Sequence, residues 1–198
     1  MNLRKPGRRW AGGMPPSRDR DNPAMRFPIM TAAGVLAAVA TAACAPPFNW
    51  RQTVIAATPL SAMFPCKPEQ DTRAVSMGGT AVELHMHHCE TAGVTAAVGH
   101  AVLPDPALAG AVLEQWRQAT LATMRTSGAT QSAWRMERAT ALPQALSVDA
   151  AGTAANGQAL VLRAAWFARG TEVYAALLYG PALDPEVAEV FFTGLRFR

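Results

Sequence analysis

The stretch QALVLRAAWFARGTEVYAALLYG, residues 158–180, is two apolar runs broken by one polar turn. Residues 158–168 and 172–180 predict two strands joined in a hairpin at Arg169, Gly170 and Thr171. Successive side chains of a strand point to opposite faces, and here both sets are apolar, so both faces of the sheet must be covered. A chain with such a hairpin is committed to a layered fold in which these strands are central. Arg163 is the exception within the run. It must reach solvent at one end or pair with a carboxylate. Trp166 and Tyr174 read as core, with a small shared cleft as the alternative.

A second hairpin is written differently. TAVELHMHHC, residues 80–89, alternates Val82, Leu84 and Met86 with Glu83, His85 and His87, the period of a half-buried strand. ETAG turns the chain, and VTAAVGHAV, residues 94–102, returns it. A two- or four-residue turn pairs odd positions of the first strand with even positions of the second. Glu83, His85, His87 and Cys89 then share a face with His100, and His88 points the other way. His85, His87 and His100 form a candidate metal site, with Zn or Cu as the cofactor that imidazoles beside a carboxylate would hold. No HExxH or CxxC spacing strengthens it. The competing readings are a polar, solvent-facing strand side that happens to use histidine, and a pH-sensing cluster.

The remaining elements fall between and around these hairpins. Short strands are expected at 60–66 and 72–77, separated by the turn-rich KPEQD. Asp105-Pro106 opens a long helix running to about Arg125, with Leu113, Trp116, Leu121 and Met124 on its apolar face. Further strands are expected at 131–138, carrying Trp134 and Met136, and at 145–149. DPEVAEVFFTGLRF gives a short helix and a terminal strand-like LRF. The expected fold class is α+β: a mostly antiparallel sheet, one long inserted helix and a short C-terminal helix. One domain over 58–198 suits a chain of 198 residues.

Charge is unevenly placed. Residues 1–43 carry Arg4, Lys5, Arg8, Arg9, Arg18, Arg20 and Arg26 against Asp19 and Asp21, so the chain's net +4 leaves residues 44–198 at −1. No nucleic-acid partner is expected, because the charge that would neutralise phosphates lies in a segment read as cleaved. From Met25, MRFPIMTAAGVLAAVATAAC has a basic start, an apolar stretch and small residues before Cys44, the order of a signal peptide over 25–43. Its apolar run, about fifteen residues, is shorter than the ~20 of a spanning helix. Residues 1–24 read as a disordered extension or as sequence ahead of a true start at Met25.

TAAC resembles the lipobox of bacterial lipoproteins, although Thr41 stands where that family usually has leucine. The resemblance implies lipidation of Cys44 with diacylglycerol and an N-acyl chain such as palmitate. Cleavage without lipidation is the alternative. Residues 44–57 would then be a tether, and Ala45 after the cysteine implies the outer membrane, facing the periplasm. With Cys44 so assigned, Cys66 and Cys89 remain as an even pair in an oxidising compartment, and a disulfide between them is expected.

FPCKP, the strand hairpin, LPD before the helix, the apolar hairpin and EVFFTGLRF together resemble uncharacterised proteobacterial envelope lipoproteins. Their layout is similar to the PsbP-like α/β/α sandwich, and the resemblance covers about 58–198. It carries no catalytic residue with it. The serines lie in no GxSxG context, and MGGT lacks the strand-to-helix turn and lysine of a phosphate cradle. The expectation is a non-enzymatic envelope lipoprotein acting as a binding or scaffolding module, held to the membrane by its lipid and open to an envelope protein partner. The alternative is a soluble periplasmic Zn or Cu protein.

Overall fold

A computed structural model of the protein describes residues 47–198, apart from Ala56 and Ser127. The proposed extension, the signal segment and Cys44 lie outside the described residues.

The apolar hairpin sits where its composition requires. Strands β1 (Arg51–Val54), β2 (Leu60–Phe64), β3 (Glu69–Met77), β4 (Thr80–Thr91), β5 (Val94–Val102), β6 (Gly128–Ala133), β7 (Leu146–Thr153), β8 (Ala159–Arg169), β9 (Glu172–Gly180) and β10 (Arg196–Phe197) form two antiparallel sheets. The larger has seven strands in the order β3-β4-β5-β9-β8-β7-β6, which places β8 and β9 inside it. The smaller has the order β1-β2-β10.

Each face of the large sheet has its own cover. Helix α1 (Ala109–Thr123) lays Val112 and Leu113 on the face carrying Leu84, Ala164, Trp166 and Ala175. Helix α2 (Pro185–Thr193) and the small sheet bring Phe191, Phe192, Phe64 and Phe197 onto the face carrying Val98, Phe167, Tyr174 and Ala176. The architecture is therefore α+β, mostly antiparallel, with two helices. Trp166 and Tyr174 are fully buried in different clusters, so they share no cleft. Arg163 lies 3.8 Å from Asp149, its register partner, and its guanidinium sits 5.3 Å from the Phe192 ring centroid.

Both Asp-Pro pairs start helical turns as expected. Asp105 accepts from the Ala107 N–H at 2.8 Å and Asp184 from the Glu186 N–H at 2.8 Å. The first of these caps a 3₁₀ turn, Pro106–Leu108, from which α1 continues; the α-helix proper has 15 residues, shorter than expected. It stops before Arg125, whose φ of 46° reverses the chain, and Gly128 already opens β6.

Several boundaries differ from expectation, among them β7, expected at 145–149, which runs on to Thr153. The expected tether over 44–57 contains β1, which pairs with β2 from Arg51↔Phe64 to Val54↔Ser61. Strand β3 begins at Glu69, inside the expected turn. Strand β6 ends at Ala133, so Trp134 and Met136 are not in a strand; they pack from the following loop onto the core of Phe167 and Phe192. The described residues all belong to one compact unit, Cys44–Arg198.

Candidate functional site

The β4–β5 hairpin is closed by Ala92 and Gly93 at φ 50° and 76°, the paired positive φ values of the two-residue turn that suits twisted strands. That turn sets the register His85↔His100, His87↔Val98 and Cys89↔Ala96. His85, His87, Cys89 and His100 thus lie on one face, as the alternation predicts. The face is not open to solvent. His87 is 1% exposed and His100 3%, which corrects the reading of a solvent-facing histidine strand. The cause is the second layer: Phe197 of β10 packs 5.5 Å from Tyr174, and Tyr174 lies 5.1 Å from His100.

From the interior outward the side chains form a connected line. The Tyr174 hydroxyl donates to Glu172 Oε2 at 2.8 Å. The other oxygen of that carboxylate lies 3.9 Å from His100 Nε2. His85 stacks on His100 at 5.9 Å, and Thr72 Oγ1 bonds His85 Nδ1 at 2.9 Å on β3. His88, on the opposite face, meets Asp71 at 3.3 Å.

Protonation follows burial. His100 is pushed down to about 4 by loss of solvation, with His85 and then His87 adding repulsion. His87 is lowered by burial first, then by His85 and His88. Tyr174 is raised, chiefly by burial and next by its hydrogen bond to Glu172. Contact of His100 with Glu172 would favour a charged pair, but at 3.9 Å it does not outweigh burial beside two other imidazoles. His100 is neutral near pH 7.

Among the described residues no three His, Cys, Asp or Glu side chains are grouped to hold a metal ion. His85, His87 and His100 share a face without converging. Cys89 is engaged with Cys66, Cα to Cα 5.9 Å, so the expected disulfide is present and joins the exit of β2 to β4.

A second feature escapes sequence reasoning. After β6 the chain folds on itself, with Trp134 N–H bonding Ala145 C=O at 2.8 Å and Thr140 N–H bonding Ala168 C=O at 2.7 Å. The fold borders a solvent-open cavity of about 400 Å³ lined by Ala133, Trp134, Arg135, Met136, Leu142 and other residues of this segment. Trp134 Nε1 is buried and donates to no acceptor among the described residues. The signal available in sequence was Pro143, which cannot continue a paired central strand.

No protein-family model, no curated protein and no solved structure matches the chain. Among the described residues no helix is long and apolar enough to cross a membrane.

Proposed function

We propose that the chain is a bacterial cell-envelope lipoprotein, anchored through Cys44 to the outer membrane, whose domain faces the periplasm and works as a binding or scaffolding module. The observation that carries this reading is the Cys66–Cys89 disulfide. Disulfides persist in oxidising compartments such as the periplasm, and this one lies downstream of a leader-like segment ending in TAAC. Layers of helix, central sheet, and helix with small sheet support the likeness to a PsbP-like sandwich, a fold-level analogy without a transferable activity.

Mass spectrometry of the mature N-terminus tests the proposal. Diacylglyceryl and acyl mass on Cys44, with processing blocked by globomycin and sedimentation with outer-membrane fractions, is the expected result. An unmodified soluble form beginning at or near Cys44 overturns it.

A further inference from the structure

The two sheets end in four edges, and the described residues treat them unequally. Edge strand β3 carries Glu69, Asp71 and Arg73, and β1 carries Arg51. Edge strand β10 has two residues, one of them Arg196. Strand β6, GATQSA, has six residues, all exposed, with no charge and no proline. It pairs with β7 on one side only. Charged residues, proline and shortness are the devices that keep an edge from accepting a further strand, and β6 itself has none of them.

The nearest charged residue along the chain on each side of β6 is cationic. Exposed Arg125 precedes it and exposed Arg135 follows it, and neither has an ion-pair partner among the described residues. Strand β6 also runs directly into the cavity, because Ala133 is both its last residue and part of the cavity lining. Trp134, Met136 and Leu142 give that cavity an apolar wall beside the Arg135 side chain.

We propose that β6 accepts an extended, acidic segment of another protein as an eighth strand. In this mode the backbone ladder supplies affinity and an adjoining pocket reads a side chain. Carboxylates of the segment meet Arg125 and Arg135, and an apolar side chain enters the cavity at Trp134. A second copy of this chain fits less well. Antiparallel pairing of β6 with itself sets Arg135 of one copy beside Arg125 of the other, and like charges so placed are repulsive. Residues 1–43, at net +5, are excluded as occupant on the same ground.

The inference deepens the binding-module reading and rests on it, though not on the lipid anchor. Its test is an anisotropy titration of the full chain in detergent with a labelled peptide of alternating threonine and valine, one leucine, and glutamates at both ends. Saturable binding is expected, weakened at least about tenfold by lysine in place of glutamate in the peptide, or by Arg125→Glu with Arg135→Glu in the chain. N-methylation of alternate peptide amides should abolish it. Thr130→Pro and Gln131→Pro are both made, because adjacent strand N–H groups point to opposite sides and one of the two strikes the free edge. The variant that keeps the parent melting temperature should lose the peptide.

Absence of saturation, equal affinity for the lysine peptide, or indifference to the arginine reversals overturns the proposal. Self-association through β6, seen by sedimentation and removed by the same proline, assigns the edge to a second copy and also overturns it. Repeating the titration on Cys44→Ala separates the two readings: loss of the anchor leaves peptide binding intact, whereas failure of the peptide leaves acylation of Cys44 unaffected.

Discussion

His85 and His100 face each other across β4 and β5, their rings stacked with centroids 5.9 Å apart, and only His100 is fully withdrawn from water. Its imidazole stays neutral down to about pH 4, whereas in the unfolded chain it takes a proton near its ordinary value of 6.5. Between these values the unfolded state binds more protons, so the stability present above pH 6.5 is lost as pH falls toward 4. The loss reaches at most about 3 kcal/mol from this group. Denaturant unfolding at pH 7.5, 6.5, 5.5 and 4.5 should show the decline, and His100→Gln should make it shallower above pH 5, where few carboxylates titrate, leaving the part that buried His87 contributes with the same sign. A slope unchanged in His100→Gln would assign the acid sensitivity elsewhere.

Tyr174 works in the opposite pH direction. Buried between Phe167, Phe197 and His100, and bonded to Glu172, its phenol keeps its proton well above the ordinary value of 10. The unfolded chain releases that proton near pH 10, so the stability held below pH 10 is lost on raising the pH further. Absorbance at 295 nm should show Tyr174 ionising only as the fold is lost, a signal identified by its absence in Tyr174→Phe. That variant also removes a buried donor from Glu172, at a cost of about 1–2 kcal/mol.

How far the sequence discloses these features depends on whether a feature is local. The β8–β9 hairpin is legible because two-sided apolarity and Gly170 at φ 61° are written into consecutive residues. The shared face of His85, His87 and His100 is legible because the parity of a turn fixes it. Burial of that face is not, since it depends on β10, nearly a hundred residues away, folding over Tyr174. Strand β1 is hidden because RQTV has no apolar alternation and exists as a strand through its ladder to β2. Trp134 and Met136 extend the apparent alternation past Ala133, yet they reach the same core from a loop. Apolar spacing reports that a side chain is covered, and it does not report by which backbone path.

The Cys66–Cys89 bond closes a loop with a sequence separation of 23 and ties the small-sheet layer to β4. In the chain-entropy account a loop of that length is worth about 3 kcal/mol. The double variant Cys66→Ala and Cys89→Ala should therefore unfold at markedly lower denaturant, with the same sign under reducing conditions for the parent chain. Equal midpoints for parent and double variant would mean that the crosslink is offset by strain or by structure in the unfolded state.

Two glycines of the large sheet lie against helix α1 and its exit, and they should differ in tolerance. A Cβ on Gly99 would stand 2.8 Å from both Met86 Sδ and Trp116 Cζ2, side-chain atoms of which the thioether can swing aside. A Cβ on Gly152 would meet the Met124 carbonyl oxygen, a backbone atom that already accepts from the Thr153 N–H at 2.7 Å. Relief at Gly152 requires the end of α1 to lift from β7, breaking that bond. Gly99→Ala is expected to cost about 1–2 kcal/mol, in the range of overpacking, and Gly152→Ala about 3 kcal/mol or more. Thermal unfolding of the two variants side by side measures the difference. If Gly99→Ala proves the more damaging, the Trp116 ring and not the helix exit is the rigid point of contact between α1 and the sheet.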